Sequence, residues 1–124
     1  MKLYCTICSK EKLGTKDLVP ALQRYASQRI DAIFRRAKKD KVKFRILSGE
    51  LGLVAPHEKI PFYDRQLRIE DVPVLVNQVA KQLAKERITE VVFFLKELPE
   101  WKPYVLVLEQ ACAKNSVPLT KRHA

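Results

Sequence analysis

Thr89-Glu90-Val91-Val92-Phe93-Phe94-Leu95 is the stretch on which the fold turns. Its apolar run is rich in β-branched and aromatic residues and too short for a helix, so it reads as the clearest strand in the chain. The segments on either side of it are helical. Upstream, Glu70-Asp71 precedes Val72, Leu75, Val76, Val79, Ala80, Leu83 and Ala84, which recur at helical spacing behind an acidic first turn. Downstream, Trp101-Lys102-Pro103 leads into a helix over Tyr104–Lys114, with Pro103 suited to its first turn and Asn115 to its C-cap.

Two further strands precede this unit. Leu3-Tyr4-Cys5-Thr6-Ile7-Cys8 is a buried strand bounded by Ser9-Lys10-Glu11-Lys12, and Val42–Leu47 is the next. Between them Leu18, Leu22, Tyr25, Ala26, Ile30, Ile33, Phe34 and Ala37 keep helical spacing, which predicts one helix from an Asp17 cap to about Lys39. Residues 54–67 hold two prolines and no clean period, and read as a long connecting loop. Val117-Pro118-Leu119 supplies a short fourth strand. The alternation predicts one α/β domain over residues 1–124, a three-layer sandwich with a mostly parallel sheet of about four strands and helices on both faces.

Composition sets limits on function. The 124 residues carry 24 Lys plus Arg against 14 Asp plus Glu, a net charge of +10, and are 47% hydrophobic, so wholesale disorder is excluded. No apolar run approaches the ~20 residues that span a bilayer, and Met1-Lys2-Leu3-Tyr4-Cys5 lacks the features of a signal peptide. Three cysteines in apolar contexts fit buried thiols in a cytoplasmic protein. Cys5-Thr6-Ile7-Cys8 has C-x-x-C spacing, but on a strand its two thiols face opposite sides and no second ligand pair is present. His57 and His123 read as surface residues, so no metal and no cofactor is expected.

The charge is unevenly placed. Residues 1–45 hold 13 basic and 4 acidic residues, whereas residues 46–79 hold 3 and 5. The densest run is Arg35-Arg36-Ala37-Lys38-Lys39-Asp40-Lys41-Val42-Lys43-Phe44-Arg45. It reads either as a solvated helix end or as a patch for phosphate backbones.

In a parallel sheet ligands bind beyond the carboxyl ends of the strands. That rule selects residues 9–14, 48–67 and 96–101. Cys8, Ser9, Lys10 and Lys12 follow the first strand, and lysines beside free backbone amides at a strand end can hold an anion. Ser48, Gly49, Glu50 and Gly52 follow the second, and two glycines in four residues point to a tight turn or a close backbone approach. Ile60-Pro61-Phe62-Tyr63-Asp64 is too apolar to stand in water and is expected to fold back over the sheet edge, bringing Tyr63 and Asp64 near Glu50 and Ser9. Asp64 and Glu50 would then be a carboxylate pair for acid–base chemistry. Neither a P-loop nor the Gly-x-Gly-x-x-Gly fingerprint is present.

Together, Cys8-Ser9-Lys10-x-Lys12, Tyr25-Ala26-Ser27, Ile46-Leu47-Ser48-Gly49-Glu50-Leu51-Gly52-Leu53 and Phe62-Tyr63-Asp64-Arg65-Gln66-Leu67 resemble the motifs of an uncharacterised bacterial and archaeal domain family similar to YaaA. Gly49 stands where that family usually has Ala, Glu50 where Lys is common and Phe62 where Pro is common. The resemblance implies an α/β fold, a site built from the loops after the first two strands, and a connection to nucleic-acid metabolism or modified-base chemistry. The expected function is a cytoplasmic domain that binds a nucleotide, nucleobase or nucleic acid through Lys10, Lys12 and the basic helix end. Two alternatives stay open: an N-glycosidase or transglycosylase using Asp64 or Glu50 with Tyr63 or Phe62 packed on a base, and a non-catalytic interaction module.

Overall fold

A computed structural model describes residues 1–10, 12–63 and 66–124. Strand β1 (Lys2–Ile7) is followed by β2 (Val19–Pro20), α1 (Ala21–Tyr25), α2 (Gln28–Asp40), β3 (Lys43–Ser48), β4 (Gly52–Val54) and β5 (Lys59–Ile60). The rest comprises α3 (Val72–Lys85), β6 (Glu90–Leu95), α4 (Lys102–Lys114) and β7 (Leu119–His123), with short 3-10 turns leading into α3 and α4. The fold is mixed α/β. Its main sheet has five strands, in the order β4-β3-β1-β6-β7, and every pairing except β3–β4 is parallel. A separate antiparallel pair joins β2 to β5.

The apolar runs become the middle of the sheet. Leu3, Cys5, Ile46, Leu47, Val91 and Phe93 are fully buried, as strands covered by other elements must be. Helix α2 lies against β1 and β3, whereas α3 lies against β4 and α4. The thiols of Cys5, Cys8 and Cys112 are free and buried, in line with their apolar contexts.

Three expectations are corrected. The strand count is five, because Gly52–Val54 turns back antiparallel on β3 at the start of what reads as loop. Gly52 makes that reversal at φ +76°, a conformation that glycine adopts without steric cost. The fourth expected strand lies further along, and His123, exposed as read from the sequence, pairs with Leu95 in β7.

The third correction matters most. The single helix of residues 17–39 is two. Ala26 adopts a left-handed conformation (φ 45°), and Ser27 then starts α2, its side chain accepting a hydrogen bond from the Ile30 amide. Asp17 caps nothing there; its carbonyl accepts from Arg24 instead. Arg24 is fully buried, and its guanidinium donates to the carbonyls of Leu13, Thr15, Asp17 and Ile60. Such a cation must be satisfied where it lies, so the chain around it is bent to bring carbonyls in. Arg24→Met would strand those carbonyls in an apolar pocket. It is expected to lower the unfolding free energy by about 3 kcal/mol or more in urea titration, and a loss under about 1 kcal/mol would contradict this role.

Candidate functional site

The break between α1 and α2 opens a cleft. Its volume is about 840 Å³, within the usual range for a small-molecule site. One wall comes from the end of β1 and the residues after it: Ile7, Cys8, Ser9, Lys10 and Lys12. The opposite wall follows β6 and runs into α4: Lys96, Leu98, Glu100, Trp101 and Tyr104. Tyr25, Ala26, Ser27, Gln28 and Arg29 close it from the helix break, and Gln66 reaches it from the segment after β5.

Topology explains the position. The chain leaves β1 toward β3 and leaves β6 toward β7, so the two loops diverge and a crevice remains between them. After β3 no such crevice forms, because β4 folds straight back along it. The described cleft therefore sits between β1 and β6 rather than between β1 and β3. Of the residues the sequence singles out, Cys8, Ser9, Lys10 and Lys12 line it.

Charge in the lining is mostly positive. Lys10, Lys12, Arg29 and Lys96 face one described carboxylate, Glu100, which pairs with Lys10 at 4.0 Å. Arg29 is held in place, donating to the Thr6 hydroxyl and the Ile7 carbonyl while lying 4.8 Å from the Trp101 ring centroid. Partial burial pulls its pKa below the usual arginine value. Helix α2 begins here, and its first intrahelical bond runs from the Asp31 amide to the Ser27 carbonyl. The amides of Gln28 and Arg29 precede that bond and point out of the helix end.

Behind the cleft lies a buried cluster of hydroxyls. The Ser48 oxygen accepts from the amides of Glu50 and Leu51, so its one proton goes to the Tyr63 hydroxyl at 2.8 Å. Tyr63 and Tyr25 share a 2.6 Å hydrogen bond, and Ser9 donates to the Tyr25 carbonyl. Lys12 sits 4.9 Å from the Tyr63 ring centroid. Across the cluster, the Cys8 thiol lies 3.8 Å from the Tyr104 hydroxyl. A Cβ at Gly49 would come within 3.1 Å of that same hydroxyl and of the Leu67 Cβ, so a larger residue there would have to displace them by a few tenths of an ångström.

Ser48, Gly49 and Tyr63 thus build the wall behind the cleft without lining it. Gly52 lies apart, beside Gln78 and Gln82 of α3. Glu50 is exposed on the β3–β4 turn and is not in the cleft lining, and Asp64 lies outside the described residues. His57 is exposed with its ring edge-on to Phe34. The basic run divides: Arg35, Lys38, Lys39 and Lys41 are exposed on or next to α2, while Lys43 and Arg45 turn to Glu86.

Sequence reasoning missed Arg29, Trp101 and Tyr104, and did not give Tyr25 a place in the site. Tyr25, Arg29 and Tyr104 hide inside ordinary helical periodicity. The loop after β6 was selected by position, but nothing in its composition marked individual residues. Among the described residues no group of three or more His, Cys, Asp or Glu could hold a metal, and no helix is long and apolar enough to cross a membrane. No protein-family model matches the chain, and no curated protein matches it.

All four tyrosines are harder to ionise than usual. Tyr4 is raised chiefly by its hydrogen bond to Asp40, Tyr25 is pushed up to about 12 by burial, and burial raises Tyr63 and Tyr104 further. Each folded value lies above the unfolded value of 10.0, so the stability they contribute is fully present below pH 10 and is lost as pH rises beyond it. An absorbance titration should show almost no phenolate at pH 10, with ionisation above it accompanied by loss of helical circular dichroism. Half-ionised tyrosines at pH 10 in a chain that is still folded would contradict the cluster.

Proposed function

We propose that the chain is a nucleotide-binding domain whose ligand, free or as part of a nucleic acid, enters the cleft between β1 and β6. The observation that carries this reading is the charge of the lining, four cations to one carboxylate among the described residues, at the point where the sheet topology reverses. Lys10 and Lys96 supply exposed charges to the lining, and Lys12 a half-buried one. Arg29, anchored on Thr6 and Ile7 and stacked on Trp101, supplies a fixed one. The phosphate belongs with these and with the amides at the start of α2. The remaining volume, floored by Tyr25 and Tyr104, suits a planar ring.

This reading carries with it the finer expectations of a three-layer, Rossmann-like sandwich in a cytoplasmic protein, and of kinship with the YaaA-like family. The exposed α2 cations outside the cleft offer a second contact for the backbone of a longer nucleic acid. The glycosidase reading has less support, because Glu50 stands outside the cleft and the one described carboxylate inside it is engaged by Lys10.

Titration with nucleoside monophosphates and the matching nucleosides tests the reading. The monophosphates should bind, the nucleosides should bind at least about tenfold more weakly for want of charge-assisted contacts, and affinity should fall between about 50 and about 200 mM salt. Lys10→Ala with Lys12→Ala should weaken binding about tenfold with the melting temperature unchanged. Absence of binding at low salt, or binding indifferent to salt and to both lysines, would overturn the proposal.

A further inference from the structure

Phe62 is exposed between two anchored neighbours. Ile60 is buried and pairs with Val19 in the short β2–β5 ladder, and the Tyr63 hydroxyl is bonded to Ser48 and Tyr25. Pro61 has its own φ fixed by its ring. Phe62 therefore stands at a set place although 45% of it is open to solvent. Single exposed apolar residues are ordinary. What sets this one apart is the group against which its ring lies.

The Arg24 guanidinium carbon sits over the ring, 5.7 Å from its centroid. Arg24 is fully buried, so the face that meets it is turned inward and the exposure of Phe62 belongs to the rest of the ring. One face is braced by a cation that four carbonyls hold in place. A ring so held, and open on its other side, can take a second flat π system against it.

The surroundings are basic and adjoin the cleft. The stretches that meet at Arg24, residues 12–18 and 59–62, carry Lys12, Lys16 and Lys59 against Asp17. Tyr25, the residue after Arg24, lines the cleft. So does Lys12, which lies 4.9 Å from the ring centroid of Tyr63, the residue after Phe62. Two copies of the chain meeting at this ring would set lysines against lysines, which disfavours a self-contact. An anionic partner with flat rings along it has the complementary chemistry.

We propose that Phe62 is a stacking platform for the base next to the one in the cleft, so that the ligand is a single strand of DNA or RNA rather than a free nucleotide. This rests on the nucleotide reading for the base in the cleft. Stacking needs only a π face, so the platform takes any base while the lysines follow the phosphates. A duplex has no free face to offer, because its bases are stacked on one another.

Calorimetric titration of the full chain at physiological salt compares thymidine and uridine 5′-monophosphates with pentathymidylate, pentauridylate and a duplex DNA of mixed sequence. At least one of the two single strands should bind about tenfold or more tighter than its monophosphate, and tighter than the duplex. Which one does so tells DNA from RNA. Phe62→Ala should weaken that strand about five- to a hundredfold and leave the monophosphates unaffected, with circular dichroism unchanged. Phe62→Leu, which keeps apolar bulk without a π face, should weaken it as well, and Phe62→Tyr should bind as the wild type does.

Single strands that bind Phe62→Ala or Phe62→Leu as well as the wild type, or less well than the duplex, would overturn the platform. So would a dimer in solution that Phe62→Ala dissolves, which would give the ring to a contact between copies. Each of these leaves the nucleotide reading intact while the monophosphates bind. If no monophosphate binds, that reading falls, and the platform stands only where a single strand still binds and Phe62→Ala weakens it. Failure of the single strands to bind overturns the platform.

Discussion

The buried guanidinium of Arg24 is the constraint from which the site follows. Its four carbonyl partners come from two separate stretches, Leu13 to Asp17 after β1 and Ile60 before the segment that carries Tyr63. A charge whose Nη1 and Nη2 donate only to carbonyls, and whose Nε has no partner among the described residues, is costly to bury, and the carbonyls offset that cost only while they stay in place. The two stretches are therefore tied together through one side chain. The same tie ends α1 after Tyr25, so Ala26 turns left-handed and Ser27 starts a new helix facing the end of β1. Without that break α1 and α2 would run on as one rod, and neither the cleft nor the meeting of Tyr25 with Tyr63 would exist.

Much of the fold was legible in residue order. The runs at Leu3–Cys8, Val42–Leu47 and Thr89–Leu95 are strands because buried parallel strands need apolar residues on both faces, and that composition is visible locally. The helix over residues 72–84 was legible for the same reason. The α1–α2 break was not. The apolar spacing from Leu18 to Ala37 runs straight through it, and the forces that interrupt it come from Leu13 and Ile60, distant in sequence. β4 was missed because three residues after a turn carry too little pattern to tell an antiparallel return from a loop.

The candidate site was legible in part and for a definite reason. Cys8, Ser9, Lys10 and Lys12 could be named because they follow a recognisable strand. Ser48 and Tyr63, both candidate ligand-binding residues by sequence, bond to one another and form the wall behind the cleft rather than its surface. Trp101 and Tyr104 were invisible, since an aromatic on a buried helix face reads as core until tertiary contacts show its polar edge. The net charge changes meaning accordingly. Part of the excess in residues 1–45 enters the cleft as Lys10, Lys12 and Arg29, and part stays outside as the exposed end of α2.

A central claim joins these points: we propose one cleft, made where the sheet reverses, that receives the anionic end of a ligand at Arg29 and the start of α2. A crystal structure of the chain grown with inosine 5′-monophosphate tests it most directly. The account predicts the phosphate against Arg29 and the first amides of α2, with the base in the volume floored by Tyr25 and Tyr104. A nucleotide seated on Lys38 and Lys39 with the cleft empty would contradict it.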